Sequence, residues 1–193
     1  MWRSLCMSII LGESMANNQT QNRILPDLAI DRAGREDLLA LWDMVMAMGS
    51  AKDVDYFERN FDHQDKGERD ILIMRSQLKN AGYCIFNRQP KYAFFQKLNI
   101  PEIQDLNVLP EFRRQGVGAA AIAHCEALAR DEGYEQIGIG VGLYSSYGPA
   151  QKLYFAKGYV PDGHGITYDR KPVAAGEFRM VDDNLCLMMV KTL

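Results

Sequence analysis

The chain has 193 residues, with 22 Lys and Arg against 25 Asp and Glu for a formal charge of −3, and 47% of its residues are hydrophobic. This is the composition of an ordinary globular domain with enough apolar material for a full core. The weak acidity argues against nucleic acid as the main partner, because phosphate backbones demand a basic stripe.

Residues 1–22 are expected to be an N-terminal extension, followed by a single domain over residues 23–193. Met1-Trp2-Arg3, the apolar run Leu5 to Leu11 and Ser14-Met15-Ala16 together mimic a signal peptide. The run is short and interrupted by Ser8, so Met15 as the true start is the simpler reading. A first short strand is expected at Leu28–Ile30. Apolar residues at helical spacing (Leu38, Leu39, Leu41, Trp42, Val45, Met46) predict an amphipathic helix over Arg35–Met48, ended by Gly49-Ser50. A second helix is expected at Asp53–Phe61. Asp70–Gln77 and Lys79–Asn87 read as a tight hairpin. Gln89–Asn99 is aromatic and basic but too irregular to assign.

A strand at Ile100–Leu109 is oddly phased. Ile103 and Asp105 share one parity, Leu106 and Val108 the other, so the apolar face changes sides between Ile103 and Leu106. A strand with one buried face does this only through a bulge, which also frees backbone N–H and C=O groups for a ligand. The strand runs through Pro110-Glu111-Phe112-Arg113-Arg114-Gln115 into Gly116-Val117-Gly118-Ala119, the start of a small-residue helix expected to reach Asp131 and to be stopped by Gly133. The first N–H groups of a helix lack intrahelical partners and lie at the positive end of its dipole. Glycines let a phosphate approach them and the arginines add charge, so this segment is a candidate pyrophosphate cradle.

Next comes a strand at Gln136–Leu143, where Gly138, Gly140 and Gly142 alternate with apolar residues. One face is thus left without side chains, for a ligand or for a closely packed helix. A helix is expected at Pro149–Lys157, with proline in its first turn and Gly158 past its end, and late strands at Tyr159–Val160 and Leu185–Lys191. Cys6, Cys84, Cys125 and Cys186 are scattered and read as reduced thiols of a cytoplasmic protein. His63, His124 and His164 lie too far apart for a local metal motif, and no metal is expected.

Three phosphate-loop patterns compete for the cradle. The triphosphate P-loop needs G-x-x-x-x-G-K-[ST], which is absent. The dinucleotide pattern fits the glycines, but the charged segment Glu111–Gln115 stands where that motif wants a tight turn, and no acid ends the following strand to hold a ribose. The third pattern, [QR]-x-x-G-x-[GA], fits Arg113, Gly116 and Gly118. A second motif, Ala150-Gln151-Lys152-Leu153-Tyr154-Phe155-Ala156-Lys157-Gly158-Tyr159, follows in order and spacing. On these two motifs the chain resembles the Gcn5-related N-acetyltransferase (GNAT) superfamily from about Leu28 to the C-terminus.

The resemblance implies an α/β (mixed α+β) fold: a twisted, mostly antiparallel sheet of six to seven strands with about four helices, splayed between its fourth and fifth strands. It implies acetyl-CoA as co-substrate, with the pyrophosphate on the amides of Arg113, Arg114, Gln115, Gly116, Val117, Gly118 and Ala119. The pantetheine would lie along Leu106, Asn107 and Val108 and against Ala150 and Tyr147, the last replacing an Asn that the family often carries there. Tyr154 is the implied general acid and Glu102 the implied base, with Asp105 or a water chain as alternatives. Tyr83, Phe86, Tyr92, Phe94, Phe95, Asp162, His164 and Tyr168 are candidates to wall the acceptor side. The expected reaction is direct acetyl transfer to a primary amine, here a small molecule; a protein lysine or N-terminus, and a non-catalytic acyl-CoA sensor, are the alternatives. The expected partners are acetyl-CoA and the amine, with neither nucleic acid nor membrane, and self-association into a homodimer stays open.

Overall fold

A computed structural model describes Leu25 and residues 27–193 of the chain. The expected extension and Cys6 lie outside the described residues. The elements run β1 (Ala29–Arg32), α1 (Leu38–Ala47), α2 (Tyr56–Asp65), β2 (Arg69–Ser76), β3 (Lys79–Asn87), α3 (Ala93–Lys97), β4 (Glu102–Val108), α4 (Val117–Asp131), β5 (Gln136–Gly142), α5 (Gly148–Ala156), β6 (Val160–Tyr168), β7 (Lys171–Pro172) and β8 (Leu185–Thr192). They form one eight-stranded sheet in the order β1-β2-β3-β4-β5-β8-β6-β7, in which only β4 and β5 are parallel.

One sheet face is covered by α4 and α5. Val117, Ala121, Ile122, Cys125 and Ala129 of α4 recur at helical spacing and are buried against Leu72, Cys84, Phe86, Ile103, Ile139 and Val141. Their small side chains bring the helix close to the strands. Leu41, Met44 and Val45 of α1 and Phe57 and Phe61 of α2 cover the other face, over Ile71, Ile73 and Tyr83. Gln64, also on α2, is buried and satisfied at both ends: its amide donates to the Ala33 carbonyl and its oxygen accepts from the Ile71 N–H, each at 2.8 Å. The cysteines Cys84, Cys125 and Cys186 are free and buried.

Two features position the site. First, β4 and β5 pair only at Glu102–Gly138 and Ile103–Ile139 and then part, so the expected splay is present. Second, the expected bulge lies in β4. Tyr83 of β3 opposes Asn107 but Ile85 opposes Gln104, one residue out of step. Asp105 absorbs the extra residue at φ +52°. At the same place Gly82 of β3 lets the strands meet, since a methyl group there would overlap the carbonyl oxygen of Asn107.

Three expectations are corrected. The irregular segment holds a short helix, α3. The stretch after Tyr159 is a nine-residue strand with a turn into β7, not two residues of strand followed by loop. Counting the two-residue β7, the sheet has eight strands where six to seven were expected, and α3 brings the α-helices to five where about four were expected.

Candidate active site

The site begins at the loop before α4. Gly116 takes φ +81° and caps the helix in the left-handed conformation, which favours glycine. Among the described residues, no backbone hydrogen bond is donated by the amides of 114–119, whereas Ala120 N–H already bonds to Gly116. Val117 and Ala119 bury their side chains, leaving only backbone to offer outward. These are the properties a diphosphate needs, so the cradle fits the group the two motifs imply. Arg113 turns back, its Nε donating to the Val108 carbonyl at 2.9 Å, and so ties the loop to the end of β4. Gln115 closes the loop by donating to the Glu111 carbonyl at 2.6 Å. Arg114 is exposed.

Leu106, Asn107 and Val108 follow the bulge and are half-buried. Asn107 and Val108 pair with Tyr83 and Gly82 of β3, and none of the three has a recorded partner on the β5 side. Gly118 sits between Val108 and Leu153, so the cradle, the end of β4 and α5 converge. Tyr147 leads into α5. Its ring covers Gly142 and its hydroxyl donates to Asp183 at 2.9 Å. Ala150 lies half-buried in the first turn of α5.

Tyr154 of α5 is 6% exposed, and burial pushes its phenol up. Its hydroxyl is not among the sealed, partnerless polar atoms, whereas that of neighbouring Tyr159 is. The Tyr154 phenol is therefore held neutral with its oxygen still reachable.

Glu102 lies in a row that crosses four strands: Arg69 opposes Asn87, Asn87 opposes Glu102 and Glu102 opposes Gly138. Opposed residues share a sheet face. Glu102 is fully buried. Gln104 Nε2 donates to its Oε2 at 2.7 Å, and Arg170 Nη2 stands 2.8 Å from Oε1. Burial pushes the Glu102 carboxyl up, against the pull of Arg170 and Arg69. Asp105, the alternative base, sits in a different environment. Its Oδ1 accepts from Lys52 at 2.8 Å and Asn107 at 3.0 Å, and its Oδ2 from Tyr56 at 2.8 Å and Tyr83 at 3.1 Å. Four donors use up the acceptor sites of a carboxylate.

The glycine face of β5 is shared. Phe95 of α3 covers Gly138, Tyr147 covers Gly142, and the guanidinium of Arg170 reaches Gly140 between them. Of the candidate acceptor wall, Tyr92 donates to Asp162 at 2.7 Å and Phe94 packs on His164 with centroids 4.0 Å apart. Tyr168 donates to Asp182 at 2.8 Å. Phe86 points into the opposite core. Lys52, Tyr56, Arg69 and Arg170 carry no motif, and sequence reasoning missed them. The buried Glu102 is the one signal that asks for a cation. Among the described residues, no three His, Cys, Asp or Glu side chains converge to hold a metal ion, and no helix is long and apolar enough to cross a membrane.

Residues 38–159 match the family model described as the acetyltransferase (GNAT) family. Among solved structures, the chain is similar to the ribosomal-protein-alanine N-acetyltransferase of Brucella melitensis, with 16% identity, 86% of this chain and 99% of that chain covered, and a TM-score of 0.61. It is similar to the Salmonella typhimurium acetyl transferase that modifies the N-terminal serine of ribosomal protein L7/L12, at 12% identity, with 86% and 95% covered and a TM-score of 0.65. It is also similar to yncA of Salmonella typhimurium, solved with its cofactor acetyl-CoA, at 16% identity, with 86% and 94% covered and a TM-score of 0.60. At these identities the likeness is one of fold. A search of curated proteins finds no match.

Proposed function

Since this chain belongs to the GNAT acetyltransferase family and is an acyltransferase, we propose that it moves an acetyl group from acetyl-CoA to a primary amine of a small molecule by direct attack. Acetyl-CoA bound in the splay supplies an activated carbonyl and a thiolate leaving group. The amides of residues 114–119 hold the diphosphate, and Arg113 locks their loop to β4. Leu106, Asn107 and Val108 offer the open edge of β4 to the pantetheine, whose amides can pair with it as a neighbouring strand would. A backbone N–H of this edge faces the carbonyl oxygen where negative charge develops. Tyr147 and Ala150 line the α5 side.

Tyr154 gives its hydroxyl proton to the departing sulfur. Its burial keeps the phenol protonated at neutral pH. Glu102 takes the proton of the incoming amine, directly or through water. Two observations favour it over Asp105: burial raises its basicity, and it has two side-chain partners, Gln104 and Arg170, where Asp105 has four. Asp105 has both oxygens occupied and instead fixes the bulge.

The observation that carries this reading is the early end of β4–β5 pairing at Ile103–Ile139, with the unpartnered α4 amides beyond it. Calorimetry with acetyl-CoA, followed by thiol release across a panel of amines, tests it. The expected result is saturable binding and amine-dependent release. Binding without release on any amine would leave an acyl-CoA sensor, and no binding would remove the reading.

A further inference from the structure

Two buried guanidinium nitrogens that lack a hydrogen-bond partner among the described residues, Arg69 Nε and Arg170 Nε, lie on either side of Glu102, whose Oε1 is held by the ion pair with Arg170 Nη2. Buried polar groups in folded proteins are almost always satisfied, by protein, by water or by a ligand. A concentration of orphans therefore marks a place built for something else. Arg69 and Glu102 belong to the row across the sheet that ends at the splay, and Arg170 meets that row from outside it. Arg69 and Glu102 are two strands apart on one face, about 10 Å at the usual strand spacing, within converging reach of their side chains. Arg170 comes from the β6–β7 turn, where it takes φ +63°, and lies across the splay between Glu102 and Gly140. Gly140 is the first residue of β5 beyond its last pair with β4.

The charges in this row do not balance. Glu102 is matched by Arg170. Arg69 has no carboxylate within ion-pair distance among the described residues; its Nη1 bonds only the neutral amide oxygen of Asn60, at 2.7 Å. Its neighbour Glu68 is engaged with His63 at 2.5 Å. Burial weighs against the charge on Arg69, and Tyr56, Glu68 and Glu102 favour it only partly. Two guanidiniums around one carboxylate leave an excess of one positive charge. When Glu102 takes up a proton the excess grows to two.

Resting on the transferase reading above, we propose that the acceptor is an α-amino acid, its amine lodged at Glu102 and its carboxylate received by Arg69 and Arg170. The acid group supplies the missing negative charge and the acceptor oxygens for the two orphaned Nε–H groups. Because amine and carboxylate sit on the same carbon, the contact that neutralises Arg69 also brings the amine to Glu102. A diamine or other purely cationic acceptor does the reverse, adding charge to a site already positive. A protein N-terminus has no carboxylate on that carbon and leaves Arg69 unmatched.

Matched pairs of acceptors differing only in the carboxylate provide the test: alanine and ethylamine, leucine and isoamylamine, phenylalanine and phenethylamine, lysine and cadaverine. With acetyl-CoA saturating, the amino acid of at least one pair is expected to exceed its amine by about 10- to 100-fold in kcat/KM, the range for hydrogen bonds to charged groups. Arg69→Gln and Arg69→Met, each checked for folding by thermal melt, should collapse that ratio. Equal use of both members across the panel, or a ratio that survives both variants, overturns the proposal. Should no acceptor release thiol, thermal shift with coenzyme A present reads the same site. Stabilisation by an amino acid but not its amine, lost in Arg69→Gln, supports it; no stabilisation by any amino acid overturns it. Calorimetry with acetyl-CoA alone reports separately on the transferase reading.

Discussion

The Tyr56 hydroxyl on α2 donates to Asp105 Oδ2 at 2.8 Å, tying the helix layer to the β4 bulge. Tyr83 on β3 donates to the same oxygen at 3.1 Å, and Lys52, from the segment before α2, holds the other. The one residue of β4 forced to positive φ is therefore braced from three directions. A non-glycine residue in that region costs of order 1 kcal/mol or more and persists only where its surroundings hold it.

Loss of this brace has a direction and a pH dependence. Burial first, and then the charge of Asp105, push the Tyr56 phenol up. A group with a raised folded value keeps its proton longer in the folded than in the unfolded chain. Stability is thus fully present below the unfolded tyrosine pKa of about 10 and is lost as pH rises beyond it. Each such tyrosine contributes a slope of about 1.4 kcal/mol per pH unit there. Urea melts of the wild type between pH 8 and 11 should show this decline, and Tyr56→Phe should make it shallower. An unchanged slope in the variant would show that the folded chain does not retain the Tyr56 proton beyond the unfolded chain's range.

Gly138→Ala is expected to destabilise the protein by about 1–3 kcal/mol, because the added methyl overlaps the ring of Phe95, which is fully buried. Phe95→Leu should relieve much of that cost, and a double-mutant cycle by denaturant melts reads the coupling. Gly140→Ala, whose methyl would stand 3.2 Å from Met188 Sδ, is a milder change on the same face.

Gly116→Ala should cost about 1–2 kcal/mol from φ +81° alone and should also weaken acetyl-CoA binding. Calorimetry and a thermal melt on one preparation separate the two effects. Full affinity in a folded variant would place the diphosphate elsewhere than the α4 start.

The bulge was legible because it follows from a local pattern, whereas the sheet order and the splay came only with the resemblance carried by the two motifs. The face change between Ile103 and Leu106 requires a bulge wherever one face is buried, and Asp105 is where it falls. The hairpin followed from two β-rich runs, and its turn is made by Gln77 and Leu78, both at positive φ and neither a usual turn residue. Strand β6 was hidden because Asp162-Gly163-His164-Gly165 has the composition of a loop; it interrupts the pairing with β8 between Pro161 and Ile166. The face left open by the β5 glycines is occupied by this chain's own side chains: aromatic rings cover Gly138 and Gly142, and a guanidinium lies against Gly140. The surroundings of Glu102 were not legible. Its ion-pair partner Arg170 sits in a turn 68 positions further along the chain, where no periodicity or motif could announce it.

Tyr154→Phe and Glu102→Gln should slow turnover in different ways. Tyr154→Phe is expected to lower kcat by about 10- to 1000-fold, in the range of general acid catalysis, with acetyl-CoA affinity retained. Burial raises the phenol, so wild-type activity should show no alkaline loss from Tyr154 below the ordinary tyrosine range. Burial also raises the Glu102 carboxyl. As a base it works only when deprotonated, so kcat/KM should climb with pH through an ionisation above the usual carboxylate value of about 4.3. That limb should vanish in Glu102→Gln, with residual turnover carried by water. Single-turnover rates from pH 5 to 9 for the three proteins provide the measurement. A limb that persists in Glu102→Gln would assign the proton to another group, and wild-type kcat in Tyr154→Phe, with chemistry limiting, would leave Tyr154 a packing residue.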